Sequence, residues 1–186
     1  MASSAHGSQP KPPTSPERQQ EQPKEMPPPP PPSSPFEAAE RFLRRLGYST
    51  ELPEVSTKGH FFSDLIWSGL KVAVVESGRV VFSYTVMPQL TNYYNTLHGG
   101  AVAAVAQTVA MACLKTVAGD TEFFLGESAV TYMSAATVNA ELDVEGRIVR
   151  KGRNVIVATV EFKTKETQQL KQIARFTFYN MLVAKL

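Results

Sequence analysis

Residues 98–114 read HGGAVAAVAQTVAMACL, and this stretch decides the architecture. From Ala101 to Leu114 only Gln107 and Thr108 are polar. A helix that is apolar nearly all round must be enclosed on most of its sides. The flanking sequence supplies the enclosure. Upstream, Val72–Val75, a Glu76-Ser77-Gly78-Arg79 turn and Val80–Val86 predict a hairpin, which Pro88 ends. Downstream, past Gly119-Asp120, strands are predicted at about 123–134, 138–150, 154–164 and 171–183. Lys151-Gly152-Arg153 and the polar stretch around Thr167 make the intervening turns. Two strands, one long apolar helix and four strands predict an α+β fold. Its mainly antiparallel sheet wraps around a central Ala-rich helix. The small alanines let the sheet, or a partner chain, come close.

Further upstream, residues 36–46 place apolar side chains on one helical face, with Ser33 or Ser34 as N-cap and Gly47 as stop. Residues 48–59 read as loop, and residues 60–70 as a short helical stretch carrying Phe61, Leu65, Ile66 and Trp67. Twelve of the 14 prolines lie in residues 1–35, so that segment cannot bury enough apolar area to offset its ordering entropy. The organisation is therefore a disordered tail (1–35), an N-terminal helix and linker (36–59), the sheet-and-helix domain (60–183) and a terminal tripeptide (184–186).

Charge and cysteine content exclude several classes. The tail balances Lys11, Arg18 and Lys24 against Glu17, Glu21 and Glu25, which leaves the whole net charge of +2 on the body. That is too weak and scattered for a nucleic-acid footprint. A single cysteine, Cys113, makes neither an internal disulfide nor a thiolate metal cluster, which points to a reducing compartment and no metal. Cys113 between Ala112 and Leu114 reads as a small buried hydrophobe. No run of 18 apolar residues exists, which speaks against a membrane span. Three glutamates by position 25 argue against a transit peptide. Pro27–Pro32 reads as a polyproline II spacer, a form that SH3- and WW-type grooves also take. The chain stops at Ala184-Lys185-Leu186, close to the Ser-Lys-Leu address read by a peroxisomal import receptor. The expected location is the peroxisome, with the cytoplasm as alternative.

The stretch Asn92-Tyr93-Tyr94-Asn95-Thr96-Leu97-His98-Gly99-Gly100-Ala101, opening the apolar helix, resembles the hotdog-fold thioesterases of the PaaI-like type. Thr131-Tyr132-Met133-Ser134 resembles the next strand of that family, and Arg150-Lys151-Gly152-Arg153 its basic hairpin. The resemblance covers about residues 60–183. It implies a hotdog fold, an acyl-CoA thioester as substrate, and a homodimer or homotetramer. Each site would lie between two chains, the oxyanion hole from one and the helix carboxylate position from the other. No cofactor is implied beyond coenzyme A as part of the substrate.

The residue chemistry fits this in part. Gly99 and Gly100 sit at a helix N-terminus, where unpaired N–H groups and the macrodipole favour negative charge. Lacking Cβ, they let a substrate oxygen approach the backbone. By resemblance, His98 holds the loop and the thioester, and Asn92 contacts the thioester region, with Asn95 as a rival. Nine residues after the histidine the family carries Asp or Glu; here stands Gln107, a neutral amide that takes no proton. Its expected use is a hydrogen bond across a dimer interface or to a site water. Where some relatives place a water-holding Ser or Thr, ungapped counting puts Leu125. Glu127, two residues on, is expected on the same strand face and so is a candidate for the missing carboxylate. Thr108 carries a hydroxyl but faces about 100° from Gln107 on the helix. Arg150, Lys151 and Arg153 suit the coenzyme A phosphates.

Two functions are therefore open. The first is an acyl-CoA thioesterase using Asn92, His98, Gly99 and Gln107, with Gly100, Glu127 and the three hairpin cations binding substrate. The second is a hotdog acyl-CoA or lipid-binding protein that has lost catalysis with its carboxylate. A hydratase or dehydratase shares the fold, but no clear acid–base pair is present for it.

Overall fold

The computed structural model describes residue 31, residues 34–45 and residues 51–181. The rest of the Pro-rich segment and Ala184-Lys185-Leu186 lie outside the described residues. Helix α1 (Pro35–Arg45) starts on Ser34, whose Oγ accepts from the Glu37 N–H at 3.1 Å. A 3₁₀ turn over Glu54–Thr57, within the stretch expected as loop, leads to α2 (Phe61–Ser68).

The body is one six-stranded antiparallel sheet: β1 (Leu70–Glu76), β2 (Arg79–Thr85), β3 (Phe123–Tyr132), β4 (Glu141–Lys151), β5 (Val155–Thr164) and β6 (Leu170–Asn180). The spatial order is β1-β2-β4-β5-β6-β3, so β1 and β3 are the edges. Helix α3 (Gly99–Ala118) lies against the middle strands. The strands alternate cleanly on that side: Leu142, Val144 and Gly146 of β4 are buried, as are Ile156, Ala158, Val160 and Phe162 of β5. The helix contributes Val102, Val105, Ala106, Val109, Ala110, Cys113 and Leu114 to the same core. Gly146 lets the helix come near the sheet, since a Cβ there would stand 3.0 Å from a Val109 methyl.

The 20 residues of α3 are long and apolar enough to cross a bilayer by length and composition alone. Here they pack on a sheet, with eight buried side chains from Ala101 to Leu114. Length and mean apolarity set membrane compatibility, so Gln107 and Thr108 do not by themselves bar this helix from a bilayer. The burial reading is the one that holds.

Candidate active site

The site is built at the start of α3. Its approach loop is tied down from three sides. The His98 N–H donates to Leu90 O at 2.8 Å, the Leu97 N–H to Ala136 O at 2.8 Å, and the Val138 N–H to Asn95 O at 2.9 Å. Asn92 is the turn-maker of this loop. Its Oδ1 accepts from the Tyr94 N–H, the Thr96 N–H and the Thr96 hydroxyl, at 2.9, 3.2 and 3.1 Å. Such side-chain-to-backbone bonds are the usual work of Asn in a turn. The Asn92 side-chain oxygen is thus occupied within the loop, and among the described residues no group accepts from its Nδ2 hydrogens. Asn95, the rival, holds a left-handed conformation (φ 55°) in the turn before the helix.

His98 is the N-cap of α3: its Nδ1 accepts from the Gly100 N–H at 2.9 Å. That bond requires a bare Nδ1, so the neutral ring carries its proton on Nε2. It also uses up the Gly100 N–H. The expectation of two free glycine donors is corrected to one, because the cap satisfies the second. Among the described residues no group accepts from the Gly99 N–H, which lies in the first turn, at the positive end of the helix macrodipole. Tyr132 sits over it. The Tyr132 hydroxyl donates to Gly99 O at 2.9 Å, and its ring lies 3.4–3.5 Å from where a Gly99 Cβ would be. Sequence reading used Tyr132 only as a family marker; its reach back to Gly99 needed the register of β3.

Gln107 is exposed on the single chain, two turns along α3. It lies in a groove of about 200 Å³ between α2 and α3, lined by Phe62, Ile66, Trp67, Ala104 and Thr108. The groove continues past Met111 to Lys115. Thr108 shares it, despite its rotation around the helix. Among the described residues no group bonds the Gln107 amide, which leaves it open to the expected partners, a second chain or a site water. Phe62 and Trp67 are 57% and 51% exposed.

Glu127 is corrected outright. Strand β3 carries a bulge between Leu125 and Glu127: Leu125 pairs with Phe178, but Glu127 pairs with Thr177. The extra residue, Gly126, flips the alternation. Leu125 packs toward the core, and Glu127 lies on the opposite sheet face. There Glu127 accepts from the Thr177 hydroxyl at 3.2 Å and pairs with Arg175 at 3.7 Å. It cannot supply a carboxylate beside α3.

Arg150, Lys151 and Arg153 lie together, exposed, at the β4–β5 turn as expected. This turn is at the far end of α3 from Gly99. Ile148 N–H donates to Gly78 O, and the Gly78 N–H to Thr116 Oγ1 in the last turn of the helix. Twenty residues of helix separate the two ends by about 30 Å. Cys113 is buried, and burial pushes its thiol above the ordinary range, as suits an inert core residue.

Fold and site together define a class. Residues 94–171 match the model of the thioesterase superfamily, and the six-stranded antiparallel sheet packed on one long helix is the hotdog fold. Among relatives, the chain is similar to acyl-coenzyme A thioesterase 13 of Mus musculus. The two are 27% identical over 109 residues, which is 58% of this chain and 78% of that protein. The crystal structure of thioesterase superfamily member 2 from Mus musculus superposes with a TM-score of 0.60 at 24% identity, covering 64% of this chain and 87% of that one. A Streptococcus mutans UA159 protein bound to acetyl CoA does so with a TM-score of 0.57 at 21% identity, covering 60% and 88%.

Proposed function

We propose that the protein hydrolyses acyl-CoA thioesters to the free acid and coenzyme A. The observation that carries this is the unpartnered Gly99 N–H at the start of α3, with its neighbour already capped. A thioester carbonyl accepting from Gly99 places its developing negative charge at the helix N-terminus, where such donors are worth about 3–4 kcal/mol of barrier. The relatives named acyl-coenzyme A thioesterase 13 and the neighbour bound to acetyl CoA support the substrate class.

In this reading His98 keeps the Gly100 amide out of play and offers its Nε2–H to the substrate. The Asn92 amide hydrogens orient the thioester. A water held at Gln107 attacks the carbonyl carbon, the tetrahedral oxyanion rests on Gly99 N–H, and collapse breaks the C–S bond, with the water's proton passing to the departing coenzyme A sulfur. The apolar groove beside Gln107 gives the acyl group its wall.

One chain does not complete such a site, since Gln107 lies along the helix from Gly99 and the basic hairpin lies at its far end. The free edge of β3 offers the remedy. Antiparallel pairing of two β3 edges turns one chain end for end, bringing one hairpin toward the other chain's Gly99. A homodimer, alone or doubled into a tetramer, is thus part of the proposal. The peroxisome is proposed as its compartment from Ala184-Lys185-Leu186; a fluorescent fusion ending in those residues should be punctate, and a diffuse signal would count against it.

A second reading, an acyl-CoA-binding protein without catalysis, is favoured by one observation: a neutral amide stands where the family's carboxylate would be, and Glu127 points away. A panel of acyl-CoA esters with a thiol-release readout decides. Turnover with any member supports hydrolysis; tight binding of the panel without thiol release supports the binder.

A further inference from the structure

The hairpin cations sit beside an exposed pair of aromatic rings that neither fold nor catalysis has used. Val155, Tyr179 and Phe124 pair across β5, β6 and β3, in one row on the sheet face opposite α3. The Phe124 and Tyr179 rings lie 5.8 Å apart, tilted by 32°, and each residue is 39% exposed. Gly126 makes the platform possible: the Tyr179 ring occupies the space a Cβ at 126 would need, so it lies over the β3 backbone. The hairpin is joined to the same spot. The Asn180 N–H donates to Asn154 O at 2.9 Å, and Asn180 Nδ2 to Arg153 O at 3.2 Å.

Elsewhere this sheet face is laced by ion pairs, Arg79 and Arg147 with Glu145, and Lys163 with Glu161. The end with the two rings is different. Arg150, Lys151 and Arg153 make no ion pair among the described residues. The nearby carboxylate of Glu127 is paired with Arg175, and Glu122, whose carbonyl accepts from the Met181 N–H, adds one opposing charge. The rim therefore keeps a positive balance next to two solvent-facing π surfaces. That combination suits a phosphorylated nucleoside: guanidinium and ammonium groups for the phosphates, and a flat apolar face for the base.

We propose that Phe124 and Tyr179 are the platform on which the adenine ring of coenzyme A stacks, with Arg150, Lys151 and Arg153 holding its phosphates. The inference rests on the coenzyme A reading above and assigns the base, which that reading leaves without a partner.

The test titrates the full chain with adenosine 3′,5′-bisphosphate at low salt, by calorimetry, so that no turnover is needed. The wild type binds. Phe124→Ala and Phe124→Leu, the second keeping apolar bulk, each weaken binding by about tenfold, and Phe124→Tyr restores it. In kinetics, Phe124→Leu raises the KM for an acyl-CoA but not that for the matching S-acyl-pantetheine, which carries no nucleotide. If the wild type does not bind the bisphosphate, or if Phe124→Leu binds it as well as wild type, the platform is overturned. It is equally overturned if Phe124→Leu changes the oligomeric state in gel filtration at unchanged affinity, since the rings then belong to an interface between copies. Nucleotide binding that depends on Phe124, in a protein that releases no thiol from any acyl-CoA, keeps this inference and removes the hydrolase.

Discussion

The Tyr132 hydroxyl donates to the carbonyl of Gly99 at 2.9 Å, so the last residue of β3 pins the first residue of α3. The bond is exposed, and its contribution to global stability is accordingly small. Its local effect is larger, because it fixes the peptide plane next to the free Gly99 amide. Tyr132→Phe removes only the oxygen. The expected result is a kcat lower by about 2- to 10-fold, the range of one net hydrogen bond, with KM and melting temperature nearly unchanged. A raised KM at constant kcat would mean that Tyr132 binds substrate instead of aiming Gly99.

The Gly99 amide itself can be deleted without breaking the helix. Proline is favoured at the first helical position, where its missing N–H is an orphan in any case. The residue before a proline must be extended, and His98 already is, with φ −62° and ψ 134°. Gly99→Pro should therefore fold with its melting temperature close to wild type and lose about 10²- to 10³-fold in kcat. Retained turnover in a folded variant would show that another donor holds the oxyanion.

The basic hairpin makes a prediction about salt. Arg150, Lys151 and Arg153 are exposed, so Arg150→Ala, Lys151→Ala and Arg153→Ala combined should leave stability alone. The triple variant should raise the KM for acyl-CoA and flatten its dependence on ionic strength, because exposed charge pairs are screened by salt. A thioester lacking the nucleotide should be affected far less. Equal effects on both substrates would place the hairpin's role in folding.

Much of this was legible in residues 98–114. An apolar helix with two polar positions demanded a wrapping sheet, and the strands fell within a few residues of the observed bounds. Turn chemistry at Glu76–Arg79 and Lys151–Arg153 marked the hairpins for the same reason. What the sequence hid was register. The Gly126 bulge inserts one residue into β3 and sends Glu127 to the opposite face from Leu125, and two-residue counting has no means of seeing that. Pairing across the sheet likewise decided that Tyr132 reaches Gly99 and that Phe124 meets Tyr179. The choice between Gly99 and Gly100 as free donor depended on a side-chain rotamer of His98, which no spacing encodes.

Tyr84 carries a prediction about stability. It is 1% exposed on the core face of β2, and its hydroxyl has no partner among the described residues. Burial pushes its pKa up to about 12. An acid whose folded pKa is raised binds its proton more tightly when folded. Its stabilising share is complete below the unfolded value, about 10, and is lost as pH climbs through about 12. Tyr84→Phe removes the unpaired oxygen at constant shape, so it should be neutral or stabilising at pH 7, by up to about 1–3 kcal/mol. It should also reduce the fall in melting temperature between pH 10 and 12. A clear destabilisation at pH 7 would mean that the hydroxyl bonds a buried water.

Gln107 decides between hydrolase and binder. Its amide is exposed at the groove between α2 and α3, so a carboxylate there is not forced into a dry core. Gln107→Glu, nearly isosteric, should fold and should increase thioester hydrolysis. General-base help is commonly about 10²–10⁴-fold, so even a tenfold gain is readable. The wild type can still turn over slowly, because Gly99 and positioning act without a base. A fast wild type unchanged by Gln107→Glu would mean that another group activates the water, and Glu127 on the far face is not that group within one chain. A wild type that binds acyl-CoA and stays inactive after Gln107→Glu establishes the binding protein. If the variant instead folds only as a monomer, Gln107 was bonded across the dimer interface, and the charge has broken the assembly that completes the site.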